Sequence, residues 1–310
     1  MINGILNVYK EKGWTSHDVV ARLRRIAGQK KIGHTGTLDP DAEGVLPVCL
    51  GRATKVCDML TDRDKTYETV LLLGRTTDTQ DTSGEILAEC DPSGITEEEA
   101  GKCILGFLGE YDQIPPMYSA LKVNGKKLYE LAREGKTVER KSRKVVIRRI
   151  EILEMDLPRI RMEVECSKGT YIRTLCHDIG ERLGVGGCME SLLRTRVGQF
   201  VLADSVRIAE AAEAAENGRL REYILPLDKV FSDLKEAVLS DKYAYMGYNG
   251  NFFLPEYLTE DPECAPGETC RVYDGKHRFI GVYRKDGKTG RYMPEKMFLD
   301  PDELKEEEGK

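Results

Sequence analysis

The chain has 310 residues, 40% of them hydrophobic and 32% charged, with a formal net charge of −6. This is the composition of a globular protein whose length exceeds what one hydrophobic core usually serves, so two domains are expected, and no apolar run approaches the roughly 20 residues that cross a bilayer. Nine cysteines without a CxxC pair, and four scattered histidines, argue against a disulfide framework or a zinc ribbon, so no metal site is expected. The N-terminal MINGILNVYKEKGWTS lacks the basic start, apolar core and small-residue cleavage site of a signal peptide, which leads us to expect a cytoplasmic address and no membrane partner.

The distribution of charge says more than its sum. Eight acids stand against Lys102 between Glu85 and Asp112, and the tail from Asp300 holds six acids against two lysines, leaving the remainder of the chain net basic. Basic groups concentrate in RLRRIAGQKK (22–31) and ERKSRKVVIRR (139–149). Two such runs flanking one site suit a polyanionic partner, and the acids of 85–112 are then expected to lie away from that site.

In chain order, HDVVARLRRIAG places Val19, Val20, Leu23 and Ile26 at helical spacing, with Ser16 as N-cap and Gly28 as the stop. GHTGTLDPDAEGVLPV (33–48) isolates one carboxylate, Asp39, in a loop loosened by Gly33, Gly36 and Gly44 and stiffened by Pro40; loops of this kind present function more often than packing. GVLPVCLG and YETVLLLG read as strands, and Pro47 assigns the first to an edge or a bulge. TTDTQDTSGE (76–85) reads as a turn-rich polar loop. TEEEAGKCILGFLG is an amphipathic helix with acids in its first turn, KKLYELAREGK a short helix ended by Gly135, and RKVVIRRIEILEMD a strand. RIRMEVECSKGTYIRTLCHDIGERLG is a strand followed by a helix opened by Arg173, and Ala209 begins a further helix and linker. Residues 240–300 hold short alternating strands joined by DGK and DGKTG turns, a small β-rich module.

Strands and helices alternate without a regular βαβ rhythm, so the fold class is α+β, with a mixed, mainly antiparallel central sheet flanked by helices. Neither a phosphate-binding glycine motif nor a GxSxG elbow is present, so nucleotide hydrolysis and acyl transfer lack visible machinery. A carboxylate in a loop needs a cation to stay ionised once substrate excludes water; Arg173 in SKGTYIRT could supply it or could be an ordinary surface arginine.

GHTGTLDPDAEGVLPV resembles the catalytic motif of the pseudouridine synthases. DKTYE, IPPMYSALKVNGKKLYELAREG and SKGTYIRTLCHDIGERLG resemble the matching blocks of the TruB family, the bacterial synthases of pseudouridine 55 in the T-loop of tRNA; the blocks occur in family order over roughly residues 3–200. The resemblance implies a pseudouridine synthase fold with a small β-rich, PUA-like C-terminal domain: a catalytic domain at 1–235 with an RNA-binding thumb insertion at 115–145, the PUA-like domain at 236–300, and a disordered acidic tail at 301–310. It implies that Asp39 is the essential carboxylate, acting as nucleophile or as base, that Tyr67 stacks on the target base, and that Arg173 pairs with Asp39. His34 would help expose the nucleotide, Leu193 would wall the base with Leu192 leaving a one-residue ambiguity, and Lys10, Lys126 and Lys127 would contact RNA. The opening block YKEKGWTSHD departs from the family pattern in carrying Glu11 where relatives have proline, while Lys10, Gly13, Thr15 and Ser16 remain.

The implied reaction rearranges one nucleoside and requires no cofactor. The implied partner is tRNA, held by its T-stem-loop and by its acceptor end through the C-terminal domain; the enzyme itself is expected to be a monomer. Three other readings use the same residues differently: an RNA binder without catalysis, an RNA-guided synthase of ribosomal RNA, and a nucleotidyltransferase using GHTG as a phosphate loop.

Overall fold

Hydrophobic periodicity sets the main elements. The computed structural model describes residues 1–123 and 125–299; the acidic tail expected at 301–310 lies outside them. The chain divides into two compact units, one comprising Leu6–Val48 and Val56–Tyr223, the other Met1–Ile5, Cys49–Lys55 and the segment from Ile224 onward. Among the described residues no helix is long and apolar enough to cross a membrane.

The larger unit is built on a mixed sheet whose strands lie in the order Val206–Arg207, Gly4–Lys10, Glu43–Leu50, Gly187–Val197, Lys65–Leu73, Arg159–Cys166, Arg143–Asp156 and Gly109–Gln113. The last five are joined by antiparallel ladders, whereas Glu43–Leu50 meets Gly187–Val197 in parallel. The fold is therefore the α+β architecture expected from the pattern. Helix Ile172–Arg182 packs on Lys65–Leu73 and Gly187–Val197, and helix Glu97–Leu105 on Arg143–Asp156. Leu71, Ile104, Ile160, Met162, Val164, Leu175 and Ile179 fill the core between them. On the strands' other face, period-two alternation exposes paired charges: Arg161 with Glu68 and Glu154, Arg149 with Glu163, and Arg159 with Glu190.

Two local expectations are corrected. The strand holding Pro47 lies inside the sheet; its ladder with Gly187–Val197 covers only Glu43 and Gly44, so the proline nitrogen, which cannot donate, falls beyond that ladder. Helix Ser16–Ile26 is capped by Thr15, one residue before the expected Ser16. The Thr15 hydroxyl accepts from the Asp18 N–H at 3.1 Å and the Asp18 carboxylate accepts from the Thr15 N–H at 2.9 Å, a reciprocal capping box. Ser16 is thereby released to turn inward, 1% exposed.

The second unit carries a five-stranded sheet in the order Leu258–Glu260, Lys235–Leu239, Thr269–Tyr273, Phe279–Lys285 and Tyr292–Met297. Its core is aromatic, with Phe253, Tyr283 and Tyr292 packed on Ala237, Leu239, Val272 and Ile280. Asp274 organises the DGK turn, its carboxylate accepting from the N–H groups of Lys276 and Arg278 at 3.0 and 2.8 Å. This unit takes in the chain from Ile224 onward, ahead of the expected residue 236.

Candidate active site

The loop joining Ile32–His34 to Glu43–Leu50 carries Asp39, and buried polar groups grip its backbone from several sides. The Ser16 hydroxyl donates to the Leu38 carbonyl at 3.3 Å and accepts the Leu38 N–H at 3.0 Å, fixing the residue before Asp39. The Lys10 ammonium donates to the carbonyls of Ala42 and Pro40 at 2.5 and 3.0 Å, and Arg194 donates to those of Val45 and Gly36 at 2.7 and 3.3 Å. Gly44, at φ +103°, lies so close to the Arg194 backbone that a side chain there would collide with it. With its backbone so held, the loop fixes where the Asp39 carboxylate points.

That carboxylate meets Arg173. The Arg173 Nη2 is 3.1 Å from the Asp39 Oδ2, and its Nη1 is 3.6 Å from the Asp81 Oδ2. Arg173 is 6% exposed at its side chain and is held by donation to the carbonyls of Tyr118 and Thr79 at 2.9 and 3.2 Å. Asp39 keeps 42% of its side chain open to the cleft. Burial pushes its carboxyl above the usual value, Arg173 opposes that shift, and Asp81 adds to it. The site thus joins one buried cation to two carboxylates, only one of which is substantially exposed.

The sequence does not distinguish Asp81, since TTDTQDTSGE reads as a polar turn. The turn chemistry is present: the Asp81 carboxylate accepts from the Thr79 and Ser83 hydroxyls at 2.7 and 2.5 Å. Its approach to Arg173 is created by tertiary structure. Ser16, Arg194 and Lys65 are equally unmarked as site residues. Lys65, buried and lining the same cleft, donates to the carbonyls of Thr61 and Arg63, and burial and Arg194 lower its pKa to about 8.

The expected site residues are not all brought together. Tyr67, 8% exposed, faces Arg194 across the ladder and lines the cleft with Asp39 and Arg173. Its hydroxyl is raised by burial, with the Arg194 guanidinium opposing, so it stays protonated at neutral pH. Leu192 and Leu193 both line the cleft, but the register sets Leu192 opposite Thr69, on the face of Tyr67 and Arg194, and Leu193 opposite Glu68 on the other face. Lys10 is corrected: fully buried, it holds the Asp39 loop and presents nothing to RNA, and burial lowers it to about 8. Lys126 pairs with Glu134 at 3.7 Å and Lys127 lies over the Tyr129 ring at 5.3 Å; neither lines the cleft. His34 is also outside the lining, edge-on to His17 at 5.8 Å, with Nδ1 accepting the Gly36 N–H at 3.3 Å. Burial, then the His17 and Arg194 charges, lower its pKa and favour neutral imidazole.

The cleft is open and measures about 1480 Å³, beyond the usual range of small-ligand pockets. Tyr118, Tyr129 and Arg133 from the 115–145 segment border it, as do Lys12, Arg143 and Lys168. Among the described residues, none from 85 to 112 lines it. The acids of that stretch stay out of the lining, although Glu110 pairs with the cleft-lining Lys144 at 3.1 Å.

Comparison with known proteins identifies the family. The TruB family pseudouridylate synthase N-terminal domain matches residues 24–172, and the tRNA pseudouridylate synthase B C-terminal domain matches 173–232. A tRNA pseudouridine synthase B of Lachnoclostridium phytofermentans is 51% identical over 308 residues, covering 96% of this chain and 100% of that protein. One from Clostridium perfringens is 45% identical over 289 residues, covering 93% and 96%. Among solved structures, a Cbf5-Nop10-Gar1 complex matches with a TM-score of 0.72 at 27% identity, covering 96% of this chain and 86% of that one. Identity of this extent, over nearly the whole of both chains, makes this chain a member of the TruB family of pseudouridylate synthases.

Proposed function

We propose that the chain isomerises uridine 55 in the T-loop of tRNA to pseudouridine, with Asp39 as the reacting carboxylate. The observation that carries this reading is the Asp39–Arg173 pair, 3.1 Å apart, with the arginine buried and the carboxylate 42% open to a cleft large enough for RNA. The curated relatives at 45–51% identity bear the name tRNA pseudouridine synthase B, which supports tRNA over a guide-directed substrate.

The target nucleotide is extruded from its stack into the cleft, at a cost of a few kcal/mol. His34, held neutral, helps to displace it, and Tyr67 stacks on the base while Leu192, on the same face of the sheet as Tyr67, walls it. Asp39 then reacts at the ribose, by adding to C1′ or by taking the C2′ proton to form a glycal, as the N1–C1′ bond breaks. The freed uracil rotates and its C5 bonds to C1′, breaking the Asp39–C1′ ester in the first route or, in the second, as C2′ takes back its proton from Asp39; the C5 proton then leaves with help from Tyr67, and N1 regains a proton. Atoms and electrons balance within one nucleoside, so the chemistry calls for neither redox nor group-transfer cofactor.

The 115–145 segment acts as a thumb over the bound T-loop; its Tyr118, Tyr129 and Arg133 border the cleft that Asp39 occupies. The C-terminal unit, a PUA-like sheet, receives the acceptor end. Its exposed Tyr245 and Phe252, with Arg291 over the Phe252 ring at 4.4 Å, offer stacking and charge to a single strand. Incubating the purified protein with an unmodified tRNA transcript and mapping pseudouridine tests the assignment. One modified site, in the T-loop, is expected; modification elsewhere, or none, counts against it.

A further inference from the structure

Of the two basic runs, residues 139–149 contribute Arg143 and Lys144 to the cleft, but no residue of 22–31 lines it. We infer that this second run, on the exposed face of helix Ser16–Ile26 and the loop after it, binds the phosphate backbone of the RNA substrate beyond the part that enters the Asp39 cleft. The inference rests on the RNA substrate proposed above.

Four exposed cations carry it: Arg22, Arg25, Lys30 and Lys31. None of them has an ion-pair partner among the described residues, which contrasts with the cations of the sheet's open face, where Arg148, Arg149, Arg159, Arg161 and Arg196 are each matched to a carboxylate. Cations neutralised in place are solvated structure; cations left unmatched retain their field for a partner. The helix's one acid, Asp18, is occupied by the Thr15 cap. Glu210, Glu213 and Glu216 lie on the neighbouring helix Ile208–Glu216 without pairing to these cations. Arg24 plays a different part, donating to the carbonyls of Lys30 and Ile32 at 3.0 and 3.3 Å and so fixing the loop that presents Lys30 and Lys31.

Position ties this face to the site. The helix starts at Ser16, which grips Leu38 beside Asp39, and Lys12 and Thr15 just before it line the cleft. At a rise of 1.5 Å per residue, Arg22 and Arg25 stand roughly 9 and 14 Å along the helix from Ser16. That is a span of several nucleotides, too far for the flipped base and suitable for backbone outside the loop that carries it. Phosphate recognition by arginine and lysine is sequence-independent and salt-sensitive.

The test replaces Arg22, Arg25, Lys30 and Lys31 together by glutamine and compares two probes, a full-length tRNA transcript and a hairpin of the T-arm alone. We expect affinity for full-length tRNA to fall at least about tenfold, and the slope of log K against log salt to drop by roughly 0.7–0.9 for each phosphate that is no longer neutralised. Turnover of the hairpin should hold, and a charge-retaining R22K/R25K variant should bind full-length tRNA normally. Unchanged affinity for full-length tRNA, or an equal loss on both probes, overturns the inference. If the wild-type protein modifies neither RNA, the proposed function fails instead, so the two failures are distinguishable.

Discussion

Asp39 stands between opposing influences. Burial and Asp81 raise its pKa, while Arg173 lowers it. Because the net shift is upward, the carboxylate form is lost at a higher pH than for an ordinary aspartate, and a reaction that needs the charged form must share that acid limb. We predict that kcat/KM falls on acidification through a pKa above the usual aspartate value of 3.8. In Arg173→Lys, whose point charge cannot reproduce the forked contact, the limb should move further up; a limb at or below the ordinary value in the wild type contradicts this electrostatic account. Ser16 acts one residue away from the chemistry. Its hydroxyl satisfies both the N–H and the carbonyl of Leu38, so Ser16→Ala leaves a buried N–H unpartnered, at about 1–3 kcal/mol. A small misplacement of Asp39 should then lower kcat by roughly 10- to 100-fold. KM should be unchanged, and Ser16→Thr, which keeps the hydroxyl, should recover most of the rate; a purely structural serine would show a lower melting point and no kcat effect.

At the scale of elements, helix Ser16–Ile26 shows both the reach and the limit of pattern reading. Val19, Val20 and Leu23 declare its buried face, and that face is buried. The cap is misassigned from the pattern because Thr15 and Ser16 are both competent caps; only Thr15 has an acid three residues on, and that spacing is the signal that separates them. Thr15→Ala should cost about 1 kcal/mol of stability in urea denaturation with turnover little changed, while Ser16→Ala should lower turnover as well as stability; equal rate effects in the two variants would deny the division of labour. The Pro47 strand is misplaced for a related reason. Proline forbids a donor, but whether a donor is needed depends on how far the neighbouring ladder extends, and this ladder stops at Gly44. The strands Lys65–Leu73 and Arg143–Asp156, by contrast, follow directly from their composition and alternation.

In the whole molecule, function depends on segments that the chain order keeps apart. Asp39, Asp81 and Arg173 converge from a loop, a turn and a helix start, and the sequence marks the first and third through the family motif. Asp81 is illegible there because aspartate in a Ser- and Thr-rich turn is satisfied locally, and nothing in that pattern reports a distant arginine. Lys10 is misleading for the converse reason: a lysine in a polar segment is expected in solvent, yet this one is enclosed and supplies its charge to backbone carbonyls. Two domains are expected from the sequence, but the membership of Met1–Ile5 and Cys49–Lys55 in the C-terminal unit is hidden, since it spans long sequence separations. The central claim is that the Asp39 carboxylate does the chemistry within a scaffold that other residues hold in place. Replacing Asp39 by Asn, and measuring both tRNA binding and pseudouridine formation with the same preparation, tests it most directly. The account predicts binding within a few-fold of wild type and no detectable product; pseudouridine formed by Asp39→Asn at a comparable rate would contradict it.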